Sequence, residues 1–304
     1  METIILYYKY VDIQYPEQIR KWQRELCGSL GITGRIILAH EGINGTACGS
    51  DEAIEIYIQA MNNHDLFKDI DFKTGYSEQA AFPKLKISVK NEIVRLGVDP
   101  QAVTVRDSGR RLSPDETHEL LANPPADLVF IDTRNDYEIA VGKFKHSIDP
   151  NLKTFRELPQ YIDDNLEQFK DKTVLMTCTG GVRCERATAY LKQKNVAKDV
   201  LHMNGGIHRY IEKYPDGFFR GKNYVFDQRI TVAANNDILG ACLHCKKSCD
   251  DYVNCLNVLC NNHHISCAEC VIIFESTCSI KCQELVKNRQ VKQRTPLEKV
   301  KAML

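Results

Sequence analysis

No run of apolar residues in this 304-residue sequence approaches the roughly 18 that a membrane span needs. The opening METIILYYKY also lacks the basic-then-apolar pattern of a secretory leader, so a cytoplasmic protein without membrane attachment is expected. An excess of charge is missing too: 40 basic residues balance 40 acidic ones. That neutrality argues against a non-specific coat on nucleic acid, while a local basic patch remains compatible with RNA. Cysteine is scarce over most of the chain. Only Cys27, Cys48, Cys178 and Cys184 precede Cys242, whereas nine cysteines crowd between Cys242 and Cys282. A secreted disulfide scaffold would not gather its thiols behind a cysteine-poor body, so thiolate chemistry or metal binding in a reducing compartment fits better.

What is present is globular, at 43% hydrophobic and 26% charged residues. The length allows two ordinary domains and a smaller module. Residues 1–96 alternate strand and helix signals. Ile4–Tyr10 reads as a strand, and Pro16 opens a helix through Leu26 with Ile19, Trp22 and Leu26 on one face. Arg35–Ala39 reads as a strand, His40–Asn44 as a turn and Gly45–Gly49 as the next strand. Ser50 then caps a helix to about Asn62, and Ile70–Thr74 and Lys84–Val89 are further strands. The order approximates β-α-β-β-α-β, a ferredoxin-like, acylphosphatase-like split sheet with both helices on one face.

Residues 97–122 read as a linker with one short helix, for which Ser113 is the N-cap, Pro114 the first residue and Glu116 the capping-box acid. Residues 123–221 then alternate apolar strands with helices, which predicts a parallel α/β sheet. Asp127–Ile131, Lys143–Ile148, Thr173–Thr177 and Val200–Met203 are its strands. Phe155–Phe169 carries apolar residues at helical spacing, and a helix is expected from about Cys184 to Lys194. The loop Cys178–Arg183 falls at the carboxyl end of a strand, where such sheets usually hold their sites.

Within Cys178-Thr-Gly-Gly-Val-Arg183 the glycines let backbone N–H groups curl around the sulfur. Arg183, Arg186 and the following helix N-terminus add positive potential. Each favours the thiolate, the reactive form of cysteine. A lone strand-end cysteine is ordinarily a small core residue, but two glycines and an arginine behind it favour a nucleophile. Cys184 is either a resolving thiol or helix-start packing; sequence leaves both open.

Asp132-x-Arg134, Glu138, Gly142, Cys178-x4-Arg183 and Gly205-Gly206-Ile207 together resemble the rhodanese superfamily over about 95 residues. The resemblance implies a cysteine that carries a sulfane sulfur as a persulfide, obtained from a sulfur donor. A related phosphatase class places five residues between cysteine and arginine, and here that count lands on Cys184. With His40-Glu-Gly-Ile-Asn-Gly-Thr46 and a cysteine-rich tail added, nearly the whole chain resembles the rhodanese-domain tRNA uridine(34) hydroxylase family. That likeness implies oxygen-dependent conversion of wobble uridine to 5-hydroxyuridine, with the tRNA anticodon loop as partner and molecular oxygen as co-substrate. Cys178 would be the thiolate or persulfide nucleophile, Arg183 would stabilise the loop and a bound anion, and Cys184 is the candidate resolving thiol. No sequence signature of haem, flavin or non-haem iron is evident, so no organic cofactor is expected.

Residues 240–284 form the cysteine-rich module. Cys242 and Cys245, Cys255 and Cys260, Cys267 and Cys270, and Cys278 and Cys282 are close pairs able to offer thiolates to structural zinc. How the pairs combine is open, and Cys249, His244, His263 and His264 are spare candidates. Residues 285–304 form a basic tail carrying Lys287, Arg289, Lys292, Arg294, Lys299 and Lys301. Lys84, Lys86, Lys90 and Arg95 are either an RNA-contacting strip or a solvated sheet edge. Tyr210, Tyr214 and Phe218 are either stacking platforms or core residues; His202 and His208 are expected to be structural or exposed. A thiosulfate- or persulfide-dependent sulfurtransferase and a non-catalytic RNA- or protein-binding adaptor remain alternatives.

Overall fold

The computed structural model describes residues 1–295, so Lys299 and Lys301 of the basic tail lie outside the described residues. The first unit runs β1 (Glu2–Tyr10), α1 (Pro16–Ser29), β2 (Thr33–Ala39), β3 (Gly42–Gly49), α2 (Asp51–Asn62), β4 (Lys73–Ser77) and β5 (Leu85–Val89). Its sheet order is β4-β1-β3-β2-β5, with β5 parallel to β2 and the remaining pairs antiparallel. The expected split sheet is present, and the strand expected at Lys84–Val89 is its edge strand β5.

Strand alternation gives this sheet two different faces. Ile5 and Tyr7 of β1, Ile36 and Leu38 of β2 and Ile43 and Ala47 of β3 join Ile54, Tyr57 and Met61 of α2 in one core. Ile4, Leu6, Tyr8, Ile37, Asn44 and Thr46 occupy the intervening positions and look the other way, into a cavity. One face makes the domain stable, and the other belongs to a site.

Two boundaries differ from expectation. The turn after β2 is only His40–Glu41, because Gly42, at φ +149, pairs with Tyr10 in β1 and Ala39 in β2. The fourth strand starts at Lys73, not Ile70; the left-handed Asp69 turns the chain first, and Ile70 is drawn into the core instead.

The second unit comprises β6 (Arg110–Leu112), α3 (Pro114–Ala122), β7 (Leu128–Asp132), α4 (Asp136–Ile139), β8 (Gly142–Phe144), α5 (Leu158–Asp164), α6 (Leu166–Phe169), β9 (Thr173–Thr177), α7 (Val182–Gln193), β10 (Asp199–Met203), α8 (Gly206–Lys213) and β11 (Phe219–Tyr224). A parallel sheet of order β6-β10-β9-β7 is its centre. The stretch read as a linker therefore contributes an edge strand, Arg110–Leu112, to this sheet. The Ser113 capping box on α3 is formed as expected. Lys143–Ile148 is not one strand: β8 pairs with β11, and the left-handed His146 breaks the run before Ile148 bridges Ile131. The expected Phe155–Phe169 helix is a 3-10 turn followed by α5 and α6, interrupted at Asn165, whose φ and ψ are non-helical.

The final module holds β12 (Thr231–Ala233), which pairs with β11, then the hairpin β13 (Tyr252–Asn254) and β14 (His263–Ile265), α9 (Ala268–Ile273) and α10 (Ile280–Lys287). It packs on the second unit through Tyr252, which donates to the Tyr137 carbonyl, and through a 2.7 Å Lys222–Asp250 ion pair. No helix among the described residues is long and apolar enough to cross a membrane.

Candidate active site

Cys178 follows β9 directly and lies at the N-terminal end of α7, which begins at Val182 rather than at Cys184. The earlier start places the helix's first N–H groups beside the sulfur. Gly181 donates its N–H to Sγ at 3.2 Å and holds φ at +100°, where a side chain would be strained and would strike the Tyr8 hydroxyl. Gly206, at φ +62°, packs against the same loop so closely that a Cβ would lie 2.4 Å from the Cys178 carbonyl oxygen. Ile207 and His208 at the start of α8 then donate to the carbonyls of Cys178 and Thr179 at 2.9 and 3.0 Å. The Gly205-Gly206 turn is thus a clamp on the sulfur loop.

Burial would raise the Cys178 thiol. The hydrogen bond from the Cys184 thiol, the Arg183 guanidinium and the N–H groups of Cys184 and Gly181 outweigh it and bring Cys178 to about 6. Cys184 is pushed the opposite way by its own burial and by the neighbouring Cys178 thiolate. The structure therefore brings together the two thiols suggested by sequence and shifts their acidities in opposite directions.

Arg183 is committed locally. Its fork makes two 2.7 Å bonds to Glu138, and Thr179 donates to the same carboxylate at 3.1 Å. Arg134 in turn forks onto Asp132 at 2.9 and 2.7 Å and donates to the Gly142 carbonyl at 2.7 Å. The sequence motif is thus one buried network. The Arg183 donors expected to meet a bound anion hold Glu138 here. Arg186 also departs from expectation: it turns from the sulfur to Glu41 at 2.6 Å and Glu92 at 3.6 Å in the first domain.

The two domains meet at the first turns of α7. Tyr10 donates to the Val182 carbonyl at 3.1 Å, and Tyr8 to Glu185 at 3.2 Å. Glu185 also pairs with Arg111 at 2.8 Å and lies 3.6 Å from the buried His202. Between the domains is a cavity of about 360 Å³, with the second face of the first sheet as one wall and Thr179, Gly180, Val182 and Arg183 as another. His208 lines it as well. Sequence reasoning missed Lys73, which is buried on this cavity and bonded to Asp71 at 2.9 Å. Burial holds its ammonium below the usual lysine value, while Asp71 and Cys178 oppose that shift. A lysine at the start of a strand gives no periodic signal that its side chain is buried against a cavity between the domains.

Among the other candidates, Tyr210, Tyr214 and Phe218 gather around His118 and the core, matching the packing alternative. Lys84, Lys86 and Lys90 are exposed on or beside edge strand β5; of that strip only Arg95 reaches the cavity. In the tail, Lys287 pairs with Glu275 at 3.2 Å.

The cysteine pairs combine alternately. Cys242 and Cys245 join Cys267 and Cys270, while Cys255 and Cys260 join Cys278 and Cys282; within each group all sulfurs lie within 4.8 Å of one another. The separations of 3.7 Å for Cys245–Cys267 and 3.5 Å for Cys260–Cys278 match tetrahedral zinc, whose Zn–S bonds of about 2.3 Å put the sulfurs ~3.8 Å apart. Both groups fit such an ion. Cys249, His244, His263 and His264 belong to neither, and His263 stacks on Tyr252 at 4.3 Å.

Residues 2–93 match the UPF0176 acylphosphatase like domain, 113–213 the rhodanese-like domain and 220–283 the rhodanase C-terminal family. The chain is 38% identical over 296 residues to a tRNA uridine(34) hydroxylase of Enterococcus faecalis, covering 95% of this chain and 92% of that one. It belongs to the tRNA uridine(34) hydroxylase family. Another member, from Bacillus pumilus, is 37% identical over 95% of this chain and 91% of its own, and one from Aster yellows witches'-broom phytoplasma is 37% identical over 95% of each. All three units seen here thus lie within the length shared with the tRNA uridine(34) hydroxylases.

Proposed function

We propose that the protein hydroxylates the wobble uridine of tRNA at C5, with Cys178 as the reacting residue. The observation that carries this reading is a thiol held near 6 beside a nucleoside-sized cavity, in a chain aligned end to end with proteins named for that activity. Uracil is electron-poor at C6, so addition of sulfur there enriches C5 for attack on molecular oxygen, and elimination returns the sulfur. One oxygen atom replaces the C5 hydrogen. The other leaves as water with two protons and two electrons from a thiol pair, which becomes a disulfide.

Cys178 is completely enclosed, and this favours a persulfide over the bare thiolate. A donor-loaded outer sulfur extends about 2 Å beyond Sγ. The resolving thiol for an oxidised Cys178 is Cys184, whose side chain is among the groups that hold Cys178 below the ordinary thiol value. The two four-cysteine groups hold structural zinc, which fixes the third module against α4.

Nucleoside profiling of tRNA from a deletion strain, rescued with wild-type or Cys178→Ala protein, tests the reading. Restoration of 5-hydroxyuridine by wild type alone is expected. Equal product from both would remove Cys178 from the reaction. Thiosulfate-dependent persulfide turnover with no tRNA product would identify a sulfurtransferase instead.

A further inference from the structure

The chain carries no net charge, yet the cavity between its domains concentrates cations. Arg35, Lys73, Arg95, Arg156, Arg183 and Arg229 line it, and Asp227 is the single carboxylate among the lining residues. Three of these cations are already matched: Lys73 by Asp71, Arg183 by Glu138 and Arg229 by Asp227. Arg35, Arg95 and Arg156 are exposed, and none has a carboxylate partner among the described residues. They come from β2, from the segment after β5 and from the turn before α5, so both domains contribute. The remaining lining is largely apolar or aromatic, with Tyr8, Phe155 and Phe226 among it, and adds the polar groups of Asn44, Thr46, Thr154, Thr179 and His208; Phe226 is 47% exposed.

Uncompensated guanidinium groups around an aromatic-lined cavity require a ligand with a flat, weakly polar body and anionic ends. A small inorganic anion would leave most of about 360 Å³ and its apolar walls unused. We propose that this cavity is a single-nucleotide site: the extruded pyrimidine packs against Tyr8, Phe155 and Phe226, and Arg35, Arg95 and Arg156 hold the phosphates of the flanking single strand. The assignment rests on the tRNA reading above and specifies its contact surface. Single-stranded loops suit it, because their bases can be splayed from the stack and their phosphates reached from one side.

The test is binding of a synthetic RNA hairpin with uridine at the wobble position, measured by fluorescence anisotropy across a salt series. Each of Arg35→Gln, Arg95→Gln and Arg156→Gln should weaken binding. Each should also make log K less steep against log salt, by about 0.7 for every single-strand phosphate the protein no longer neutralises. The triple arginine-to-lysine variant keeps the charge and should restore most of the slope. Phe226→Ala should raise Kd about tenfold with the slope unchanged, because stacking is not a counterion effect. A triple glutamine variant with the wild-type slope would overturn the proposal. So would release of the hairpin by thiosulfate at matched ionic strength, since a small anion would then be the better occupant of these arginines. The outcome is separable from the chemistry: a reduced slope without any 5-hydroxyuridine keeps the site and removes the reaction, and product formed at an unchanged slope does the reverse.

Discussion

Arg183 and Glu138 face each other through two 2.7 Å hydrogen bonds in a buried fork, tying the helix behind the sulfur loop to α4. The carboxylate also accepts from Thr179, so one side chain fixes both ends of the loop that carries Cys178. Arg134, below it, donates to the Glu138 carbonyl and couples the pair to Asp132.

Glu138→Ala should cost about 3–5 kcal/mol of stability, because it leaves the Arg183 charge buried and unpaired. Urea unfolding measures the loss. A change below ~1 kcal/mol would mean that Arg183 finds water once Glu138 is gone, and that the fork does not organise the loop.

Cys178 should ionise with an apparent midpoint near pH 6, far below the ordinary thiol value of 9.0. The ultraviolet thiolate absorbance that is lost in Cys178→Ala, followed against pH, gives this directly. Cys184→Ala removes a donor to the thiolate, so the midpoint should move up; Arg183→Met should move it the same way. Stability follows the sign of a depressed acid: the thiolate's contribution is complete above pH 9 and shrinks as pH falls, vanishing below about pH 6. An ionisation midpoint unmoved by Cys184→Ala would remove that thiol from the groups that lower Cys178.

Fresh, reduced protein should contain two zinc ions per chain, measured by mass spectrometry of the intact protein and by elemental analysis. Cys267→Ser should lower the count by one, since Cys267 serves only the first group. Chelation should expose Tyr252 and the β13–β14 hairpin to protease, because the module is too small to keep a core without its metals. Wild-type protein with less than one zinc would overturn both sites.

Much of the first domain is legible from local patterns. Pro16, the Ser50 cap and the alternation of β1 and β2 specify their elements within a few residues, because they act through the local backbone. The turn at His40–Glu41 looks longer in sequence than it is, since Gly42 becomes a strand residue only by pairing with strands on both sides. Arg110–Leu112 is hidden among turn residues for a similar reason. Three residues carry no periodicity, and their strand character comes from β10.

Around the site, the sequence by itself marked Cys178 as the candidate nucleophile. Cys178 is followed at once by its glycines, its arginine and its helix, so the groups that lower its pKa lie within six residues. The four cysteine pairs are equally local. Only the tertiary structure decided which pair joins which, because metal geometry depends on the fold of the intervening hairpin and helix. It also decided that Arg183 answers to Glu138 and Arg186 to Glu41, and that the outward face of the first sheet closes a cavity over the sulfur loop. Charges and surfaces choose partners by distance in space. Spacing along the chain records that distance only when both partners share one turn or one helix.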